Sequence, residues 1–176
     1  LQSNVLFNHL ENVTIENQAV SNQHGETDLY LSSYNKGDHR LGFTANREKQ
    51  TITSIELDQY LLNSLEPIHF IKSETQGHER QVIEGLTKLI KRNSDHLCCL
   101  LEFSPGLLAA AESQGVERFL DFFDLFNTEI YWIHEKGQNP ELVLMYKTAL
   151  TELGRTMLKY DDQDRSCNIL VFFSIK

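Results

Sequence analysis

The sequence predicts an α/β fold in which a mainly parallel sheet carries helices on both faces. Three observations lead there. Strands and helices alternate along most of the 176 residues, which implies crossover connections and strands that run the same way. Leu97-Cys98-Cys99-Leu100-Leu101 is apolar without alternation, the pattern of a strand buried on both sides. Val82, Ile83, Leu86, Leu89 and Ile90 recur at three and four residues, the apolar stripe of a covering helix.

The elements follow in order. Leu1–Leu10 reads as the last turns of a helix, and Val13–Val20 as a strand. Ser21-Asn22-Gln23-His24-Gly25 has turn composition, after which Thr27–Leu31 alternates as a strand. Ser32–Gln50 is polar and broken by Gly37 and Gly42, a long or mobile excursion of the kind that carries function in a compact domain. Ile52–Leu57 is a short strand, Asp58–Leu65 a brief helix closed by Pro67, and Ile68–Lys72 a compact apolar strand. The patterned helix around Val82–Ile90 leads to the strand at Leu97–Leu101, with Glu84 and Lys88 spaced as an exposed pair. Leu107–Glu112 and Val116–Phe126 are helical, and Thr128–His134 is a strand. Lys136-Gly137-Gln138-Asn139-Pro140 is a polar break, Thr148–Leu158 a helix, and Asp161, Asp162 and Asp164 a solvated turn. Ile169–Ile175 closes the chain as a well-covered strand.

Composition narrows the function. There are 25 acidic and 16 basic residues, a formal charge of -9, with no concentrated basic block, which argues against nucleic acid as a partner. No stretch is long and apolar enough to span a membrane. Cys98, Cys99 and Cys167 form no CxxC pair and read as free thiols, which suits a reducing, cytoplasmic location. An oligomer is compatible with the sequence.

Ligands of open parallel sheets collect beyond the carboxyl ends of strands. Three such ends are polar: Ser21-Asn22, Glu74–Glu79, and Glu102-Phe103-Ser104. The middle one combines backbone donors, carboxylates and an imidazole within one turn. Glu74, at the end of an apolar strand, is either partly shielded and suited to act as a base or a solvated strand terminus. Gln76 can orient a ligand but cannot act as a base, His78 is a weaker acid or base, and Glu79 favours the positive end of the helix. Glu102 follows five apolar residues on a neighbouring strand and is a ligand or metal contact, or else a buried acceptor. Asp38, His39 and Arg40 form a polar triplet in the excursion. GxSxG, HExxH, P-loop and GxGxxG patterns are all missing from the sequence.

These residues resemble the FkbM-type family of S-adenosylmethionine-dependent methyltransferases. The resemblance starts at Asn12-Val13-Thr14-Ile15-Glu16-Asn17-Gln18-Ala19-Val20-Ser21 and runs through Gly25-Glu26, Leu29–Ser32, Gly37–Arg40 and Ser54–Asp58. It is strongest at Ile71-Lys72-Ser73-Glu74-Thr75-Gln76-Gly77-His78-Glu79, with Val82, Gly85 and Leu101-Glu102 after it. It covers Asn12 to Glu102, and more loosely the remainder. The resemblance implies a class I methyltransferase, Rossmann-like sheet and transfer of a methyl group to an oxygen of a sugar or other small metabolite. It implies catalytic roles for Glu74, His78 and Glu102, and cofactor contacts from Ala19, Val20, Ser21 and Gln76. It also implies that residues 1–176 are a single domain lacking an N-terminal cofactor-binding portion. Glu74 stands where the family has Asp, and Gln76 where it has a second acid. Those departures bear on substrate choice, on any divalent-metal site and on activity itself. The alternatives are a noncatalytic binding or assembly module on the same scaffold, and a metal-assisted hydrolase built on Glu74, His78 and Glu102.

Overall fold

The computed structural model describes residues 1–42, 44–136, 139–159 and 166–174. A short helix, α1 (Gln2–Phe7), opens the chain and buries none of its residues. The first sheet has three strands, β1 (Ala19–Val20), β2 (Gly25–Leu31) and β3 (Glu48–Ile55), in the order β1-β3-β2. β1 runs parallel to β3, and β2 antiparallel to it. Only the last two residues of the expected Val13–Val20 strand pair, because residues 11–14 and 16–18 are exposed and offer no apolar face. The excursion after β2 is narrower than expected: Glu48–Gln50 already belongs to β3, and Arg40 bridges back to Tyr30. The helix α2 (Leu57–Tyr60) follows β3.

The second sheet has five strands: β4 (Phe70–Ser73), β5 (Cys98–Phe103), β6 (Asn127–Lys136), β7 (Asn139–Met145) and β8 (Cys167–Ser174), in the order β4-β5-β8-β6-β7. Only β4 and β5 are parallel; β5–β8, β6–β8 and β6–β7 are antiparallel. This overturns the expected mainly parallel, Rossmann-like sheet. Each of the two sheets is mixed, with one parallel pair. The physical reason is that apolar periodicity marks a strand as buried but carries no direction. Direction is set by connections, and here β6 and β7 form a hairpin across the polar break, closing at Lys136 and Asn139. Residues 137 and 138 of that break, and the expected turn at Asp161, Asp162 and Asp164, lie outside the described residues. The helix α7 (Lys147–Lys159) then brings the chain back, and β8 enters between β5 and β6 antiparallel to both.

Coverage on both faces is corrected as well. Along β5, Cys99, Leu101 and Phe103 are buried while Cys98, Leu100 and Glu102 are half-buried. Along β8, Ile169, Val171 and Phe173 are buried and Phe172 is exposed. One face therefore packs against helices and the other is partly open. The packed face meets α3 (Glu79–Glu84), α4 (Thr87–Asn93), α5 (Pro105–Ala111), α6 (Gly115–Phe122) and α7 in one apolar core. Phe119 of α6 stacks on Phe103 with ring centroids 5.9 Å apart and meets Phe123 edge-on at 5.3 Å. Burial of each such ring contributes roughly 1.5–3 kcal/mol.

The single helix expected around Val82–Ile90 is two helices. It breaks at Gly85-Leu86 because the turn lies against Ser21, whose carbonyl oxygen is 2.2 Å from where a Cβ on Gly85 would sit. Asp58 of α2 reaches across and accepts hydrogen bonds from the Lys88 and Leu89 amides, both at 2.8 Å, capping α4 from another element. Glu84 pairs with Arg80 and Asn22 rather than with Lys88. The three cysteines are free thiols, and burial raises Cys99 and Cys167 to about 12. Among the described residues no helix is long and apolar enough to cross a membrane.

Candidate functional site

β4 and β5 end side by side. Their register pairs Ser73 with Leu101, so Glu74, just past the end of β4, and Glu102, still paired with Asn168 of β8, come to the same rim one residue further along. Glu102 is half-buried. Burial raises its proton affinity, and the Glu74 carboxylate adds to the rise, against a hydrogen bond from Ser166 and the charges of Arg40 and Lys72. Glu74 is less shielded than its strand-end position suggested: its side chain is 52% exposed and its carboxylate lies 2.9 Å from the Lys72 ammonium.

Gln76 completes the rim. Its amide Nε2 donates to Glu102 Oε2 at 3.4 Å, a long hydrogen bond. Gln76 has φ +55° and Gly77 φ +96°, so the chain turns through the left-handed region as it leaves β4. Gly77 suits that conformation and also a close approach, since a Cβ there would lie 2.8 Å from the Leu107 carbonyl oxygen. Glu79 secures the turn. Fully buried, it accepts from the Thr75 amide at 2.6 Å, from the Thr75 hydroxyl at 3.1 Å and from the Gly77 amide at 2.9 Å. Burial raises its proton affinity, and the backbone donors, that of Thr75 first, oppose the rise.

The excursion after β2 folds toward this rim. Gln76, Glu102 and Ser104 share a cleft of about 430 Å³ with Asp38 and Arg47. Asp38 binds Arg40 Nε at 2.6 Å and is held by Arg47 as well. Burial raises the Asp38 proton affinity, but the two guanidinium partners outweigh it and hold the carboxyl below its usual range. His39 faces elsewhere, with Nδ1 accepting from the Ser32 amide at 3.0 Å. Ser104 is fully buried, and among the described residues its hydroxyl has no hydrogen-bond partner.

The remaining sequence candidates gather at a second place. Ala19 and Val20 pair with Ser54 and Ile55 in the first sheet. Ser21 is 8% exposed, and its hydroxyl lies 3.0 Å from Nε2 of His78. Burial, with the charge of Arg80, lowers His78 to about 4, so the imidazole is neutral at neutral pH. The structure thus brings Glu74, Gln76 and Glu102 together and sets His78 with Ser21. Arg47 escaped sequence reasoning, and Glu79 and Ser104, which fell within the polar strand ends, were given no catalytic or binding role there. The signal for Glu79 was its place two residues after Gly77, where a carboxylate can fold back onto the turn.

Chemically, the rim offers a carboxylate of raised basicity, an amide that orients it, and a second carboxylate nearby. Among the described residues no three His, Cys, Asp or Glu side chains gather as a metal site. A family model described as Methyltransferase FkbM domain matches residues 2–135. No curated protein and no solved structure matches the chain.

Proposed function

Since this chain belongs to the methyltransferase FkbM domain family, a class that uses S-adenosylmethionine, we propose that it serves methyl transfer to a hydroxyl oxygen of a sugar or other small metabolite at the rim formed by Glu74, Gln76 and Glu102. The observation that carries the reading is Glu102, half-buried and raised in proton affinity, standing against Gln76 in a cleft large enough for a small molecule.

The residues present fit the cofactor at its reactive end. Two carboxylates suit the positive charge of a sulfonium: Glu102 lines the cleft, and Glu74 is near enough for its charge to act on Glu102. The group supplies an electrophilic methyl when bound. Glu102 accepts the proton of the acceptor hydroxyl, a role favoured by a carboxylate whose affinity has moved toward neutral pH. Gln76 orients that carboxylate, and Glu74, paired with Lys72, adds negative potential from the outer edge. His78 holds the turn after β1 through Ser21 rather than exchanging protons, because a neutral imidazole pushed to about 4 is a weak base. Ala19, Val20 and Ser21 face the adenine end on this reading, with apolar and backbone surface, since the Ser21 hydroxyl is engaged.

Calorimetric titration of the full-length protein with S-adenosylmethionine tests the proposal. Saturable binding is expected, and Glu102→Gln is expected to lower turnover by about 100-fold or more, the scale of a lost general base, and to lower turnover more than cofactor affinity. A folded full-length protein that takes up no cofactor supports the noncatalytic module instead.

A further inference from the structure

We propose that Glu79, although out of reach of any ligand, is the positioning residue of the rim: its carboxylate fixes the left-handed turn that carries Gln76 to Glu102. The inference rests on reading that rim as the methyl-transfer site.

Glu79 is 0% exposed, so it touches no ligand. Its two oxygens divide the work. Oε1 takes the Thr75 amide and hydroxyl, and Oε2 takes the Gly77 amide. These three donors bracket Gln76, whose own φ of +55° is a conformation that a glutamine without such support leaves readily. A carboxylate is the side chain that accepts at both ends. Glutamine of the same size would turn an amide NH2 toward one of the N–H donors, and aspartate, one methylene shorter, would keep the charge but lose the span. The consequence reaches the cleft through one link. When the turn relaxes, the Gln76 amide departs from Glu102 Oε2, and Glu102 loses one of the donors that favour its charged form, that of Ser166 remaining.

The test compares Glu79→Asp and Glu79→Gln with the unmodified chain. Three readouts are taken: the Gln76 Cα and Cβ NMR shifts, which report left-handed backbone, the Glu102 carboxyl titration, and the kcat and KM of methyl transfer. In both variants the left-handed signature is expected to disappear while amide protection across β5 and β8 persists. In Glu79→Asp, which keeps the charge, the Glu102 midpoint is expected to rise. Turnover should fall about tenfold or more at nearly constant cofactor KM. If Gln76 keeps its signature and Glu102 its midpoint in both variants, the inference is overturned. If neither variant folds, Thr75→Val, which removes one of the three donors, decides by the same two NMR readouts. If the unmodified chain shows no methyl transfer, the functional reading fails, and the NMR readouts still decide the role of Glu79 at the rim.

Discussion

Nε2 of His78 stands 3.0 Å from the hydroxyl oxygen of Ser21, and this contact ties the end of a strand in one sheet to the start of the helix that follows the first strand of the other. Close packing reinforces it: Gly85, at the far end of that helix, lies against the Ser21 carbonyl. The junction makes its own predictions, independent of any ligand.

Acid should weaken the junction. The unfolded chain binds a proton on histidine near 6.5, whereas burial lowers folded His78 to about 4. Between those values the unfolded state holds more protons, so stability falls as the pH falls from 6.5 toward 4. The loss amounts to roughly 3 kcal/mol over that window. Urea midpoints at a series of pH values check it. His78→Gln, which retains a polar partner for Ser21, should flatten the slope, and an unaltered slope in that variant would assign the pH dependence to other groups.

Two glycines should resist a single methyl group for different reasons. Gly85 has an ordinary φ of -69°, so the cost of Gly85→Ala is steric, against a carbonyl oxygen 2.2 Å away. Gly77→Ala adds backbone strain at φ +96° to a contact of 2.8 Å with the Leu107 carbonyl. Each is expected to lose about 2–4 kcal/mol in chemical denaturation. A change below about 0.5 kcal/mol, the scale of an ordinary surface substitution, would contradict the packing at that position.

Asp58 is expected to behave as a cap although it belongs to a different helix. The Lys88 and Leu89 amides take separate oxygens of its carboxylate. Asp58→Ala should therefore cost about 1–2 kcal/mol and Asp58→Asn, with one acceptor oxygen left, distinctly less. Equal losses in the two variants would argue against two-point capping.

Much of this architecture was legible in the residues. The strands around Leu29, Leu101 and Val171 and the helix around Leu150 announce themselves by apolar pattern, and each lies close to where that pattern puts it. The direction of β8 was not legible, because Ile169–Phe173 reads equally well either way and only its neighbours fix it. Nor was the one-sided burial of β5. Cys98 and Leu100 are apolar yet half-buried, so composition hid an alternation that packing reveals. At the candidate site, the shared rim of Glu74 and Glu102 was expected from two adjacent strand ends. The exposure of Glu74 and the engagement of His78 by Ser21 depend on contacts distant in sequence, Ser21 and His78 being separated by 57 positions. Glu79 was read only in part, for a related reason. Its place in the first turn of α3 is as expected, while its full burial and its bonds to the preceding turn could not be read from the sequence.

The most direct test of the central claim is an NMR titration of the isotopically labelled full-length protein with S-adenosylmethionine, following backbone amides and the Glu102 carboxyl. The account predicts saturable shifts concentrated at Gln76, Gly77, Glu102 and Ser104. A folded chain whose rim resonances stay fixed while the cofactor is added, or whose shifts cluster instead on the β6–β7 hairpin, would contradict it.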